Sequence, residues 1–440
     1  MTYEQALEKI HSYIRFGSKM GLARILELLK RLGNPHQDLK VVHVAGTNGK
    51  GSVCRYMYEV LNHAGYRTGA FFSPYIENFT ERIQLAGSEI SEENLAEYAG
   101  RVLDKAEEMV ADGLESPTEF EIVTAIGLLY FADRNPDFVI LEVGMGGVDD
   151  ATNVFGKPVL TAITSVDFDH MEVLGDTLPA IAEYKSGILK EGVPAVVSVK
   201  DQEARAVVRK KAAELSAPFY DVTEAEITDV IKDVSGYSFS VSFKMEGDTV
   251  AYKDVKLTMP GMHQVENAVC ALQMLQVLIR SGYAVPEESI RKGLLEAVQP
   301  ARFEILYDDP CYIILDGAHN YGGARALAYT LHELFDGRNI LLCIGVLQDK
   351  EYDKMAKMLT KLHCDVICTA VPSVPERRMP AFDLADAFGR AGAFVIGIYD
   401  DYREAIDACV RSLHNYDAVV WAGSLYLMGP VRRFFEGGEE

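Results

Sequence analysis

Residues 41–52, Val41-Val42-His43-Val44-Ala45-Gly46-Thr47-Asn48-Gly49-Lys50-Gly51-Ser52, constrain the fold more than any other stretch of the chain. β-Branched residues suited to a buried parallel strand run into two glycines bracketing Thr47 and Asn48, then a lysine. Val53 to His63 carries a helical pattern that Gly65 stops. Strand, glycine-rich turn and helix bring successive backbone N–H groups and a helix N-terminus together on a phosphate, with a lysine as point charge. The stretch therefore predicts a nucleoside triphosphate site. In the general pattern G-x-x-x-x-G-K-[ST] the first glycine and the final Ser/Thr would fall on Val44 and Gly51, so the loop is a variant form.

A chain of 440 residues is long for one hydrophobic core, which predicts two domains, and 48% hydrophobic residues suffice for both. A net charge of −22 and a pI near 4.9 argue against nucleic acid or an acidic membrane surface as partner. A small anionic substrate met by a local basic pocket remains compatible. The first residues lack a basic start and an apolar core, and no stretch approaches ~18 uninterrupted apolar residues. The chain reads as a soluble, cytoplasmic protein. Seven cysteines form no C-x-x-C pair and lie mostly in apolar runs, as reduced core residues do.

Before the first strand, two segments with helical spacing (2–14 and 22–32) flank Lys19-Met20-Gly21-Leu22-Ala23-Arg24. That link reads either as a substrate-lining turn or as a solvated helix start. After the P-loop helix, a strand over 68–72 ends in Ser73-Pro74, leaving the Ser73 hydroxyl where open α/β sheets place ligands. Residues 78–87 read as a long functional loop. Ser91 caps a helix to about Val110, and Thr118-Glu119-Phe120-Glu121 opens another to Phe131.

The second strong signal is Phe138-Val139-Ile140-Leu141-Glu142, an apolar strand ending in one carboxylate. P-loop enzymes hold Mg²⁺ in this way, because the hard dication takes oxygen ligands and a lone buried Glu is costly. Beyond the next strand, His170 is placed as a metal ligand or phosphate contact, or simply as a solvated loop histidine. Lys185, near a helix C-terminus, reads by itself as a dipole partner. Residues 220–258 read as short antiparallel strands. From Gln299-Pro300 onward strand and helix alternate regularly, which predicts a small doubly wound sheet whose first strand ends in Asp316-Gly317-Ala318-His319-Asn320.

In this order the motifs resemble folylpolyglutamate synthase and the bifunctional dihydrofolate synthase/folylpolyglutamate synthase of the Mur ligase superfamily. The resemblance covers essentially the whole chain. It runs from Gly46–Ser52, Ser73-Pro74, Glu81-Arg82 and Thr118–Glu121 through Glu142–Asn153, Asp169-His170 and Lys185–Ile188. It continues through His263-Gln264 with Asn267, Arg302 and Asp316–Asn320 to Gly423–Leu427. It implies an α/β protein with an N-terminal P-loop ATPase domain (1–298) and a C-terminal Rossmann-like ligase domain (299–440). The first domain would hold a mostly parallel sheet and a small antiparallel one. Hinge closure at Gln299-Pro300 is expected.

The implied activity is ATP-dependent joining of L-glutamate to a folate, and to dihydropteroate, through an acyl phosphate. The resemblance places Gly49, Lys50, Gly51 and Ser52 on the phosphates, and Ser73, Glu142 and His170 on Mg²⁺, with Ser52 competing for the metal on spacing. Lys185 would be carbamylated and ligate a second Mg²⁺. Asn267, Arg302 and Asp316 would hold the nucleotide, and His319 would orient phosphate or the incoming amine. The pterin side would use Gly21, Leu22, Arg24, Thr118, Glu119 and Phe120. A monomer suffices, since one chain carries every motif.

The chain departs from the family pattern at Val148 and Asp149, which replace Arg-Leu, and at Tyr184, Ala301 and Tyr75. None removes a metal or phosphate ligand, but loss of the arginine bears on which folate is handled. Another amide ligase of the superfamily, or a non-catalytic nucleotide-binding protein, are the alternative readings.

Overall fold

The computed structural model describes residues 1–17, 19–372 and 376–437. They form two compact units. One comprises Met1–Ile227, Val241–Tyr252 and Glu266–Glu296; the other comprises Thr228–Ser240, Lys253–Val265 and Ala297–Glu440.

The first unit is built on an eight-stranded sheet. In chain order its strands are β1 (Val41–Ala45), β2 (Thr68–Phe71), β3 (Ile83–Leu85), β4 (Ser88–Glu89), β5 (Phe138–Glu142), β6 (Leu160–Ile163), β7 (Ala195–Val197) and β8 (Phe219–Asp221). In space the order is β4-β3-β2-β5-β1-β6-β7-β8. β2, β5, β1, β6, β7 and β8 run parallel, while β3 and β4 turn back antiparallel at one edge. Every residue of β1 and β5 is buried, as a central parallel strand covered on both faces requires. Helices Tyr3–Ser12, Ala23–Arg31, Glu92–Ala111 and Glu119–Arg134 cover one face through Ile10, Leu28, Leu103 and Ile126, against Val41, Val139 and Leu141. Leu178–Lys185 and Gln202–Glu214 contribute to a second core with Ala45, Val143 and Ile163.

Residues 78–87 are not the irregular loop expected. Asn78 and Glu81 form a capping box that starts a 3₁₀ turn (Phe79–Arg82), and β3 follows, pairing Phe71 with Ile83 and Gly69 with Leu85. A three-residue strand is too short to show alternation, so its partner rather than its own pattern defines it. Nor does the antiparallel region begin at 220, because β8 closes the large sheet in parallel to β7. The separate three-stranded sheet is β9 (Glu226–Asp233), β10 (Gly236–Met245) and β11 (Asp248–Leu257), in the order β11-β10-β9. Two-residue links make it antiparallel, and β10 alternates cleanly, burying Tyr237, Phe239, Val241, Phe243 and Met245.

The second unit holds a six-stranded sheet of β12 (Glu304–Tyr307), β13 (Tyr312–Asp316), β14 (Ile340–Ile344), β15 (Asp365–Thr369), β16 (Phe394–Tyr399) and β17 (Ala418–Ala422), ordered β12-β13-β17-β14-β15-β16. The five strands from β13 on are parallel, as the alternating pattern predicts. β12 is an additional antiparallel edge strand where the sequence reading placed only a boundary. The sole tryptophan, Trp421, is fully buried in β17. All seven cysteines are buried and unpaired.

The helix Lys50–His63 that follows the P-loop is gripped from behind by the helix Glu287–Glu296. Gly293 permits this close crossing, since a Cβ there would lie 2.5 Å from the Cα and backbone N of Val60. Gly293→Ala should therefore cost about 1–3 kcal/mol by overpacking, read as a lower urea midpoint by far-ultraviolet circular dichroism. An unchanged midpoint would show that the crossing adjusts.

Candidate functional site

The P-loop leaves β1 at Ala45 and enters its helix through Gly49, whose φ of 84° is the left-handed conformation that glycine adopts at no steric cost. No side chain caps the helix start. The first-turn N–H groups of an α-helix lack intrahelical partners, so this terminus favours an anion.

The loop is held by the segment after β6. Thr47 N donates to Ser165 O at 2.9 Å, Asn48 N donates to Ser165 Oγ at 2.8 Å, and Thr164 Oγ1 donates to Asn48 O at 2.6 Å. Thr47 Oγ1 donates to Asp167 O and accepts from Asp167 N. Thr164, Ser165 and Asp167 were not singled out in the sequence, and they lie more than a hundred residues from the loop they shape. Lys50 Nζ curls back to Gly46 O (3.0 Å) and Thr47 O (3.2 Å). Asn267 lies so close that a Cβ on Gly49 would collide with its amide, which puts this predicted nucleotide residue against the phosphate loop.

Lys185 ends the helix Leu178–Lys185 and is 3% exposed. Burial first, and then the positive charge of Lys50, push its amine down to about 7, while Asp169 and Asp150 oppose the shift. A lysine that the sequence alone reads as a dipole partner is thus a buried, half-neutral amine beside the P-loop lysine.

Glu142 ends β5, buried, and its Oε2 accepts from Ser73 N at 3.1 Å. Arg82 NH1 donates to Ser73 Oγ at 3.4 Å, and its guanidinium lies over the rings of Tyr75 and Phe79. Among the described residues no three His, Cys, Asp or Glu side chains form a ready-made metal cage. The adjoining carboxylate of Glu142 and hydroxyl of Ser73 nevertheless fit Mg²⁺, which takes one or two protein oxygens and completes its shell from water and substrate phosphate. His170 adopts φ 51° and is more exposed, with Nε2 3.9 Å from Asp169 Oδ1.

The two segments predicted for the pterin side come together. Arg24, 8% exposed, donates from Nε to Glu121 Oε2 (3.1 Å), from NH1 to Glu115 (3.2 Å) and from NH2 to Lys19 O (2.8 Å). Its guanidinium thereby ties the 19–21 turn to the capping box of Thr118 and Glu121. Leu22 packs on the core behind it, and Gly21 takes φ 100°. Burial raises the pKa of Glu119, opposed by Arg82 and then His11. The Phe120 ring rests on Gly144, where any Cβ would clash with it.

In the second unit Asp316 ends β13 as a buried carboxylate accepting from Phe303 N and Ala318 N, both at 2.9 Å. Burial raises it to about 6 against the opposing charge of Arg302. The Arg302 guanidinium lies against Gly317, whose added Cβ would be 3.2 Å from NH1. His319 Nδ1 lies 2.8 Å from Gly317 O and so donates to it.

Because the folded pKa of Lys185 falls below the unfolded value of about 10.4, the native state gives up a proton that the unfolded chain keeps. Lys185 therefore costs stability below that value, and the cost is complete below about 7. In bicarbonate-free buffer Lys185→Met should raise the melting temperature at neutral pH, by a margin that shrinks toward about pH 10. A margin independent of pH would contradict the burial of a titrating amine.

Two family models match the chain: the Mur ligase middle domain over residues 44–275 and the Mur ligase glutamate ligase domain over 301–425. The dihydrofolate synthase/folylpolyglutamate synthase of Bacillus subtilis is 36% identical over 433 residues, 98% of either chain. Among solved structures, the folylpolyglutamate synthase of Mycobacterium tuberculosis, complexed with ADP and AMPPCP, superposes with a TM-score of 0.89 at 28% identity, covering 100% of this chain and 99% of the other. An FPGS–AMPPCP–folate complex gives 0.83 at 31% identity over 99% of each chain.

Proposed function

Since the chain belongs to the Mur ligase family, and within it to the dihydrofolate synthase/folylpolyglutamate synthases, we propose that it ligates L-glutamate to the carboxylate of a folate at the expense of ATP. The observation that carries this reading is the charge arrangement of the first unit. An uncapped helix start carries Lys50, a buried Lys185 feels the charge of that lysine, and the Glu142–Ser73 pair lies at the end of β5, the strand paired with the one that delivers the P-loop. The relatives' complexes with ADP, AMPPCP and folate support the same ligand classes here.

In this reading the γ-phosphoryl is transferred to the folate carboxylate, giving an acyl phosphate, and the amine of glutamate then displaces phosphate. The developing charge sits on the transferring oxygens, so positioning and electrostatics supply most of the catalysis. The N–H groups of Gly49, Lys50, Gly51 and Ser52 and the Lys50 ammonium receive the phosphates, and Asn267 orients the nucleotide beside Gly49. Ser73, Glu142 and His170 would hold Mg²⁺, which supplies charge neutralisation when bound. Arg24 keeps the 19–22 turn against Thr118–Phe120 on the pterin side. Arg302 and Asp316 are assigned to the nucleotide, and His319 to the phosphate or amine, by their motifs. The division of labour follows residues 1–298 and 299–440.

The neutral fraction of Lys185 can add to carbon dioxide, releasing one proton and leaving a carbamate whose oxygens would ligate a second Mg²⁺. The enzyme would act as a cytoplasmic monomer. Among the described residues no helix is long and apolar enough to cross a membrane.

Phosphate release from Mg-ATP and L-glutamate should depend on added tetrahydrofolate, with dihydropteroate as a second acceptor. Release with tetrahydrofolate alone would mark a polyglutamylase without the first ligation, and release that ignores both acceptors would overturn the reading. Lys50→Ala should lower kcat by about 10²–10³-fold, the range for removing one donor aimed at developing charge. For the carbamate, Lys185→Ala should be inactive, unresponsive to bicarbonate and partly restored by a short carboxylic acid; wild-type activity in Lys185→Ala would rule the carbamate out.

A further inference from the structure

His43 occupies the middle of β1, between β5 and β6, and is 0% exposed. Its neighbours along the strand, Val41, Val42, Val44 and Ala45, are apolar and equally buried. An imidazole here is costly. Its Nδ1 is buried without a hydrogen-bond partner, and an unsatisfied buried polar atom gives up its hydration with nothing in return. Leucine would fill the space without that penalty, so the ring's other nitrogen must account for it.

That nitrogen, Nε2, lies 2.8 Å from Thr152 Oγ1. The Thr152 hydroxyl has a single hydrogen, and it points to Asp150 Oδ1 at 2.5 Å. His43 is therefore the donor: the geometry fixes the neutral Nε2–H tautomer and leaves the lone pair on the unpartnered Nδ1. Burial, assisted by the charge of Lys190, lowers the imidazole to about 3, so the ring stays neutral through the physiological range.

The Asp150 carboxylate then spends its remaining capacity on backbone. Oδ1 accepts from Thr152 N (3.0 Å), Oδ2 accepts from Met145 N (2.8 Å), and Gly144 N–H is a further donor. Gly144 and Met145 directly follow the turn out of β5, two and three residues past Glu142. The same loop fastens onto the helix end that carries Lys185, through Val148 N to Tyr184 O (3.0 Å) and Asn153 Nδ2 to Gly187 O (3.1 Å).

We propose that His43 is a positioning residue for the ligation. As an Nε2–H donor it holds Thr152, and through Thr152 it fixes the Asp150 carboxylate that sets the 144–153 loop between Glu142 and Lys185. The inference rests on the ligase reading for its effect on rate, while the hydrogen-bond chain stands on geometry alone. It connects the strand that delivers the P-loop to the loop behind the candidate metal carboxylate by side chains, in addition to the ladder of β1 and β5.

Two measurements separate these levels. Nitrogen-15 NMR of the wild-type imidazoles should show His43 as the Nε2–H tautomer, still neutral at pH 5, with its signal displaced in Thr152→Val. An Nδ1–H tautomer, or a signal indifferent to Thr152→Val, would overturn the chain whatever the protein's activity. In the acceptor-dependent assay, with wild type first shown to turn over, His43→Leu and Thr152→Val should each lower kcat by about 10–100-fold, the range for partners that orient ligating groups. KM for ATP should change less than twofold. The double variant should be no worse than the poorer single one. His43→Gln, whose amide N–H reaches the place of Nε2–H, should recover to within about threefold of wild type. A folded His43→Leu with wild-type kcat, additive losses in the double variant, or a His43→Gln as poor as His43→Leu would overturn the positioning role. Should His43→Leu fail to fold, Thr152→Val and the NMR signal still decide.

Discussion

Two amines, Lys50 and Lys185, share one neighbourhood, and their repulsion together with the burial of the second sets the chemistry of the first unit. A cation on Lys50 is tolerable because it reaches back to the carbonyls of Gly46 and Thr47 and faces an open helix terminus. Lys185, enclosed at a helix end, is pushed toward its neutral form. An anion delivered between them would relieve the conflict. In the ligase reading a phosphate would be that anion, and a local pair of amines would let a protein that is acidic overall receive one charged group.

The scaffold resists relaxation of that conflict. β1 and β5 are buried along their whole length; the loop after β1 is fastened to the segment after β6 by side-chain hydrogen bonds, and the loop after β5 is closed on itself through Asp150. The helix behind the P-loop is backed by a glycine contact that leaves no space for a Cβ. Order around the 19–21 turn comes from another buried charge: Arg24 links that turn and the Thr118 cap, so its guanidinium acts as an internal tie. Pairing a buried arginine with Glu121 and with carbonyls satisfies donors that would otherwise be costly.

Much of this could be read from the chain. The glycine-lysine loop, the apolar strand ending in Glu142 and the Thr118 capping box each carry their structural meaning within a few residues, and the alternation after residue 300 gave the parallel strands of the second sheet. What escaped were features defined by distant partners. β3 and β12 are short edge strands whose identity lies in β2 and β13. Thr164, Ser165 and Asp167 are ordinary loop residues until they meet residues 47 and 48. Lys185 resembles any helix-terminal lysine until helices and loops from elsewhere enclose it, and a histidine within a valine run gives no sign of which nitrogen it uses. Local patterns report local geometry; burial and tautomer are properties of the assembled core.

The seven cysteines have a practical consequence. All are enclosed, and burial holds the thiols of Cys54, Cys270, Cys311, Cys343, Cys364 and Cys368 above their ordinary range, so little thiolate is presented to solvent. The native chain should therefore react slowly with maleimides. Cysteines introduced one on each unit would take spectroscopic labels without removal of any natural residue, and the distance between the labels could be followed as nucleotide, folate and glutamate are added in turn.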